Sequence, residues 1–231
     1  MSLKTTIVGT VAFFPLTVHA VLNGYAFGSA FRLGSQLSRS TFNITSAATT
    51  FVPGAPPASQ PSGGALYLWP GLQTTTGEFI YGSLEQVSPA SCTSSADEWC
   101  LTAQYVGKKG LFSGEYVAVS GNQPVTLDWA VSSGTWTSSV SVAGDVVSTV
   151  SVAAGAVSAF GVANVCLGAC APTTVSQTYR NTTIVLATTT PSFGSTAVTY
   201  IGTTVSGLQT ADGGLTWTID EIVVPAGAYE N

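Results

Sequence analysis

Apolar and polar side chains alternate residue by residue through most of the chain after Gly64. From Glu98 to Val106, Trp99, Leu101, Ala103 and Tyr105 fall on one side and Glu98, Cys100, Thr102 and Gln104 on the other. This period of two is the signature of a half-buried strand. Val125, Leu127, Trp129 and Val131 repeat it with Thr126 and Asp128 opposite, and Leu215, Trp217 and Ile219 alternate with Thr216, Thr218 and Asp220 in a closing strand that runs to Val224. Trp136 to Val142, Val146 to Val152, Thr183 to Ala187 and Val198 to Thr203 are β-branched runs parted by Gly, Pro or Asp turns. No stretch after residue 20 joins helical periodicity to helix-forming composition. The pattern predicts an all-β fold, an antiparallel two-sheet β-sandwich or jelly roll.

Upstream of this series the pattern weakens. Residues 21–64 read as an N-terminal segment ending in a Pro/Gly/Ser-rich linker or loop from Val52 to Gly64, with a removable pro-segment as the sharper alternative. The sandwich domain is expected over residues 65–231. The first twenty residues carry the grammar of a secretory signal peptide, with Lys4 as its charged end, an apolar run from Ile7 to Val18, and Val18-His19-Ala20 as a small-x-small cleavage site. That run is too short to span a bilayer. The product is expected to be secreted, extracellular, off the membrane after cleavage, and monomeric.

Cleavage changes the available chemistry. His19 is the single histidine of the chain, so a product starting at Val21 holds none. Ser-His-Asp and Cys-His nucleophile systems and histidine-containing metal sites are thereby excluded. Loss of Lys4 leaves five basic against eleven acidic residues, moving the formal charge from −5 to −6. Such a chain has no cationic patch to displace counterions, so no nucleic-acid partner is expected. Cys92 with Cys100, and Cys166 with Cys170, are expected to form local disulfides once exported. The sequons at Asn43 and Asn181 suit the same compartment. No metal and no cofactor are expected.

Leu66-Tyr67-Leu68-Trp69-Pro70-Gly71-Leu72-Gln73, then Leu84-Glu85-Gln86-Val87, then Glu98 to Val106 follow one another in an order that resembles the eqolisins, secreted fungal glutamic peptidases with a concanavalin A-like sandwich. Val119-Ser120-Gly121-Asn122 and Gly134-Thr135-Trp136-Thr137 extend the likeness, which runs from about Leu66 to Leu186. The resemblance implies a Gln and a Glu on one concave sheet face that activate water and stabilise an oxyanion, a mechanism that needs no histidine. It places the glutamine at Gln86, whose amide can donate to an oxyanion and orient water. At the two glutamate positions this chain has Phe160 and Asn164, and no Asp or Glu occurs between Asp145 and Asp212. Gln86 alone lacks the general acid/base that water activation needs.

The expectation is therefore a secreted binding module for an extracellular polysaccharide or protein ligand, with Trp69, Gln73 and Gln104 as candidate binding side chains. Two alternatives stay open. One is an acid endopeptidase in which Gln86 works with a carboxylate recruited from Glu98 or Glu115. The other is a cell-wall surface protein with no discrete site. A glycoside hydrolase finds no supporting acid pattern, because the adjacent pairs Asp97-Glu98 and Asp220-Glu221 point to opposite strand faces. Binding predicts an exposed aromatic row, and peptidase activity predicts a carboxylate within reach of Gln86.

Overall fold

A computed structural model describes residues 25–35, 42–59, 63–86, 92, 97–173 and 175–227. The proposed signal peptide lies outside these residues. In chain order the strands are β1 (Tyr25–Gly34), β2 (Ile44–Val52), β3 (Ala65–Leu68), β4 (Gly71–Thr74), β5 (Phe79–Gln86), β6 (Glu98–Gly107), β7 (Gly110–Ser113) and β8 (Val117–Ser120). They continue as β9 (Val125–Ser132), β10 (Thr135–Val142), β11 (Asp145–Ala153), β12 (Val157–Leu167), β13 (Gln177–Leu186), β14 (Val198–Tyr200), β15 (Thr204–Ser206) and β16 (Thr216–Val224). Between β13 and β14 there is one short 3-10 turn, Phe193–Thr196.

The strand pairs are antiparallel and build two layers. The first runs β11-β10-β9-β2-β13-β16-β15. The second runs β14-β1-β12, then β3 and β4 end to end, then β5-β6, with β7 and β8 end to end on the outer edge of β6. Among the described residues a single strand pair, Val157 with Ile44, joins the layers. Two-residue loops at Ser133-Gly134 and Ala143-Gly144 reverse the chain on either side of β10, all four residues having positive φ, as tight hairpins require.

The layers enclose one apolar core, drawn from Phe31 and Leu33 of β1, Leu127 and Trp129 of β9, Leu101 and Tyr105 of β6, and Trp217 and Ile219 of β16 among others. Trp129 of the first layer meets Phe160 of the second edge to face, with ring centroids 6.2 Å apart. At Gly82 the layers approach closely: a Cβ there would lie 2.2 Å from Leu127 Cδ2, so a side chain on that position of β5 would force Leu127 to move. Ser148 of β11 accepts the Ala103 N–H of β6 at 3.0 Å, sewing the layers together along one border.

Two expectations change. Strands β1 and β2, from residues 21–64, lie inside the sheets, β2 between β9 and β13 and β1 between β12 and β14. Of linker or loop, the described part of the Pro-rich stretch after β2 is a packed loop. Pro53, Pro56 and Pro57 are buried, Gly54 N–H donates to Gly121 O at 2.8 Å, and Trp99 Nε1 donates to Gly54 O at 2.7 Å. Strand β6, expected to be half-buried, is buried on both faces from Trp99 to Tyr105. One face meets the core. On the other, Thr102 and Gln104 are covered by hydrogen-bonding neighbours, among them Gly114 and Tyr116. The disulfides Cys92–Cys100 and Cys166–Cys170 join as expected.

Candidate functional site

Strand alternation divides the side chains of the second layer between the core and the outer face. Along β5, Ile80 and Leu84 enter the core, and Phe79 and Tyr81 join a second cluster on the outer face with Ala30, Trp69, Ala163 and Val165. Strand register then sets the outer face out in rows. Gln73 of β4 stands between Ala159 of β12 and Phe79 of β5. In the next row, Arg32, Gly161, Gly71, Tyr81 and Gln104 follow one another across β1, β12, β4, β5 and β6. Further along come Ser83 beside Thr102, then Tyr67 beside Glu85.

The two adjacent glycines leave a side-chain-free floor between Arg32 and Tyr81. Around it lies a shallow recess whose lining includes Trp69, Gln73, Phe79 and Tyr81. Gly71 is required for this close packing, since a Cβ there would sit 2.4 Å from Tyr81 Cβ and 2.8 Å from Ile80 O. Trp69 is fixed by its indole N–H, which donates to Ser83 Oγ at 3.2 Å. Its ring lies 5.1 Å from Tyr81 and 5.5 Å from Tyr67 between centroids. Gln73 is only 3% exposed, and neither Nε2 nor Oε1 of its amide has a hydrogen-bond partner. Both atoms are closed off from solvent, so the unpaired amide costs the fold about 1–3 kcal/mol.

The β4–β5 turn holds Gln73 and Phe79 in register. Thr74 N–H donates to Glu78 O at 2.9 Å and Gly77 N–H to Thr74 O at 3.0 Å. Glu78 locks the turn to β6: Tyr105 OH donates to its Oε1 at 2.6 Å and Thr76 Oγ1 to its Oε2 at 2.9 Å. Burial pushes the Glu78 carboxyl up, but hydrogen bonds from Tyr105 and Thr76 and from backbone groups of Gly155 and Lys108 outweigh it and hold it below its ordinary value. Burial and the neighbouring Glu78 push the Tyr105 phenol up to about 12.

A second polar group lies farther along the same face. Gln104 Nε2 donates to Glu85 Oε1 at 2.7 Å and to Tyr116 OH at 2.9 Å. Glu85 is four residues along β5 from Tyr81, about 13 Å at strand rise. Burial raises its carboxyl above the ordinary value, against hydrogen bonds from Ser83 and Gln104.

The sequence candidates separate into two groups. Trp69 and Gln73 meet in the recess, and Gln104 stands next to Tyr81 in register. Gln86 follows the parity of Ile80 and Leu84 and so turns away from this face, and its Nε2 donates to Pro57 O. Its place across from β6 is beside Trp99, and strand alternation sends Glu98 to the opposite face. Glu115 is exposed on the β7–β8 connection. Phe160 and Asn164 share the core parity of β12: Phe160 is fully buried, and Asn164 is 2% exposed with Oδ1 unpartnered. Four of the five tryptophans, Trp99, Trp129, Trp136 and Trp217, belong to the core, and Trp69 and Tyr81 on the outer face are buried, at 9% and 5% exposed, so these side chains do not form the expected row of exposed aromatics. Asn43 and Asn181 are both exposed, Asn181 with φ +52° where the β13–β2 register shifts.

Tyr116, Arg32 and Tyr81 were not among the sequence candidates, and Glu85 stood there only as one of the available acids. The segment Phe79-Ile80-Tyr81-Gly82-Ser83-Leu84-Glu85-Gln86 is apolar on both faces, so alternation alone gave no reason to prefer Glu85 to Gln86.

No protein-family model matches the chain, and no curated protein matches it. Among solved structures, scytalido-glutamic peptidase with a peptide-based transition-state analogue is similar at 13% identity and a TM-score of 0.44, covering 84% of this chain and 97% of that one. A second structure of that peptidase, with a transition-state analogue inhibitor, gives 13% identity and a TM-score of 0.43. Peanut lectin with a 9mer peptide is similar at 12% identity and a TM-score of 0.28, covering 89% of this chain and 93% of that one.

Proposed function

We propose that the chain is a secreted, non-catalytic module that holds an extended polymer against the outer face of its second sheet, with one unit seated in the recess over Gly71 and Gly161. The recess carries the reading: aromatic walls supply apolar contact, and the Arg32 side chain at its edge supplies a polar group for orientation, the combination typical of ligand pockets. Secretion rests on the signal-peptide grammar of residues 1–20 and accords with two disulfides. Catalysis at Gln86 is set aside because its amide is tied to Pro57 and its strand face is not that of Glu98.

One observation favours a second reading. Glu85 is a buried carboxyl of raised proton affinity in contact with a glutamine amide, which is the equipment of a general acid. An acid-pH digest of an unfolded protein separates the two readings, comparing the mature chain with Glu85→Gln and Gln86→Ala. The binding module cleaves nothing in any of the three. Cleavage lost in Glu85→Gln but kept in Gln86→Ala would replace it with an acid hydrolase built on Glu85 and Gln104. Binding itself is measured by co-sedimentation with insoluble polysaccharides and by fluorescence polarisation with labelled unfolded polypeptides. Failure of every polymer to bind would overturn the module reading.

A further inference from the structure

We infer that the Tyr116 side chain is a pH-sensitive latch over Glu85, closed while that carboxyl is neutral and released when it ionises. The device needs no ligand, so it stands apart from the polymer-binding reading. Its parts form one hydrogen-bonded line on the outer face. Gln104 Nε2 donates to Glu85 Oε1 at 2.7 Å and to Tyr116 OH at 2.9 Å, and Ser83 also bonds to the Glu85 carboxyl. Glu85 is 7% exposed and Gln104 4%, whereas Tyr116 is half-buried on the connection between β7 and β8. The tyrosine is therefore the member of this line nearest to solvent. The backbone on either side of it is fixed: Gly114 N–H donates to Ala103 O at 2.8 Å, and Val117 pairs with Leu101. Release is thus a rotation of the Tyr116 side chain, and the sheet keeps its register.

The groups around Glu85 explain why ionisation opens the latch. Strand β3 brings Tyr67 beside it, and β6 brings Cys100, which is held in a disulfide. The same parity of β6 carries Glu98, Thr102 and Gln104, with Asp97 just before the strand; β8 sets Ala118 next to Cys100, and Glu115 precedes Tyr116. The charged side chains of these elements are all acids. Among the described residues the cations lie elsewhere: Arg32 on β1, Lys108 and Lys109 at the β6–β7 turn, and Arg180 in the first layer against Glu221. An ionised Glu85 is therefore a buried carboxylate with no counter-ion beside it, and it regains solvation by admitting water. Consistent with this, burial raises its proton affinity against the bonds from Ser83 and Gln104. The closed state holds the proton more tightly than the open one, so acid favours closure. The open-to-closed ratio then rises by up to about tenfold per pH unit between the ordinary carboxylate value and the raised one, and levels above it.

The test labels the chain with fluorotyrosine and assigns the Tyr116 signal through Tyr116→Phe. Broadening of that signal by a soluble gadolinium chelate, followed from acid to neutral pH, reports its exposure to solvent. The Tyr116 broadening is expected to grow severalfold with pH, while that of Tyr179, fully buried in the core, stays constant. Glu85→Gln cannot ionise and is expected to hold Tyr116 at its acid level throughout. Glu115→Gln, which removes the exposed neighbouring acid, is expected to keep the rise. A Tyr116 signal whose broadening does not change with pH, or rises equally in Glu85→Gln, would overturn the latch. A rise lost in Glu115→Gln would move the switch to that residue, and parallel growth at Tyr179 would assign the effect to the whole fold; either overturns the inference. If Glu85→Gln does not fold, the native chain and Glu115→Gln still decide it, through the contrast between Tyr116 and Tyr179 and the survival of the rise.

Discussion

Removing one hydroxyl, in Tyr105→Phe, tests how the recess is held. The ring is fully buried, and its OH donates at 2.6 Å to a Glu78 carboxylate that is itself only 8% exposed. Hydrogen bonds to charged groups contribute about 1.5–3 kcal/mol. Thr76 still serves the other carboxylate oxygen, so about 2 kcal/mol is expected at neutral pH. For a chain of this size that lowers the melting temperature by about 4–8 °C. The pH dependence sharpens the test. Because Glu78 is held below its ordinary value, its contribution is complete above the unfolded-state pKa and is lost as pH falls through the folded-state value. The gap between native chain and variant should therefore be widest near neutrality and close in acid. Urea unfolding followed by tryptophan fluorescence at several pH values measures it. A gap below about 0.5 kcal/mol at neutral pH, or one that persists unchanged in acid, would refute the clamp.

Other consequences are independent of this one. Glu85 is raised by burial, so the native chain should lose stability as pH rises through the unfolded and then the folded value of that group, and Glu85→Gln should flatten this fall in the same urea experiment. Gly82→Ala places a methyl against Leu127 and should cost about 1–3 kcal/mol through overpacking, read from the urea midpoint. Replacing Cys166 and Cys170 together by alanine opens a short loop and should cost about 2 kcal/mol on chain-entropy grounds, measured by calorimetry.

Alternation located β6, β9, β10, β11 and β16 because each carries an unbroken run of β-formers between turn residues. It failed on β1 and β2, where Tyr25-Ala26-Phe27-Gly28-Ser29-Ala30-Phe31 and Ala47-Ala48-Thr49-Thr50 use small residues whose contrast between faces is faint. Those small residues suit the crowded interior of the sheets, where β2 pairs on both sides. For the site, Trp69 and Gln73 were legible as an aromatic and an amide in one segment. Their convergence with Arg32 depends on β1 reaching Gly161 of β12, a pairing across more than a hundred residues that no local pattern announces. Gln86 and Glu85 are neighbours in β5, and in a strand one residue is the difference between faces.

The indole N–H of Trp69 gives the most direct test of ligand binding at the recess. With the mature chain isotopically labelled and that resonance assigned through Trp69→Phe, titration with an extended polymer should shift it saturably. Saturable binding that moves resonances elsewhere while Trp69 stays fixed would contradict the account.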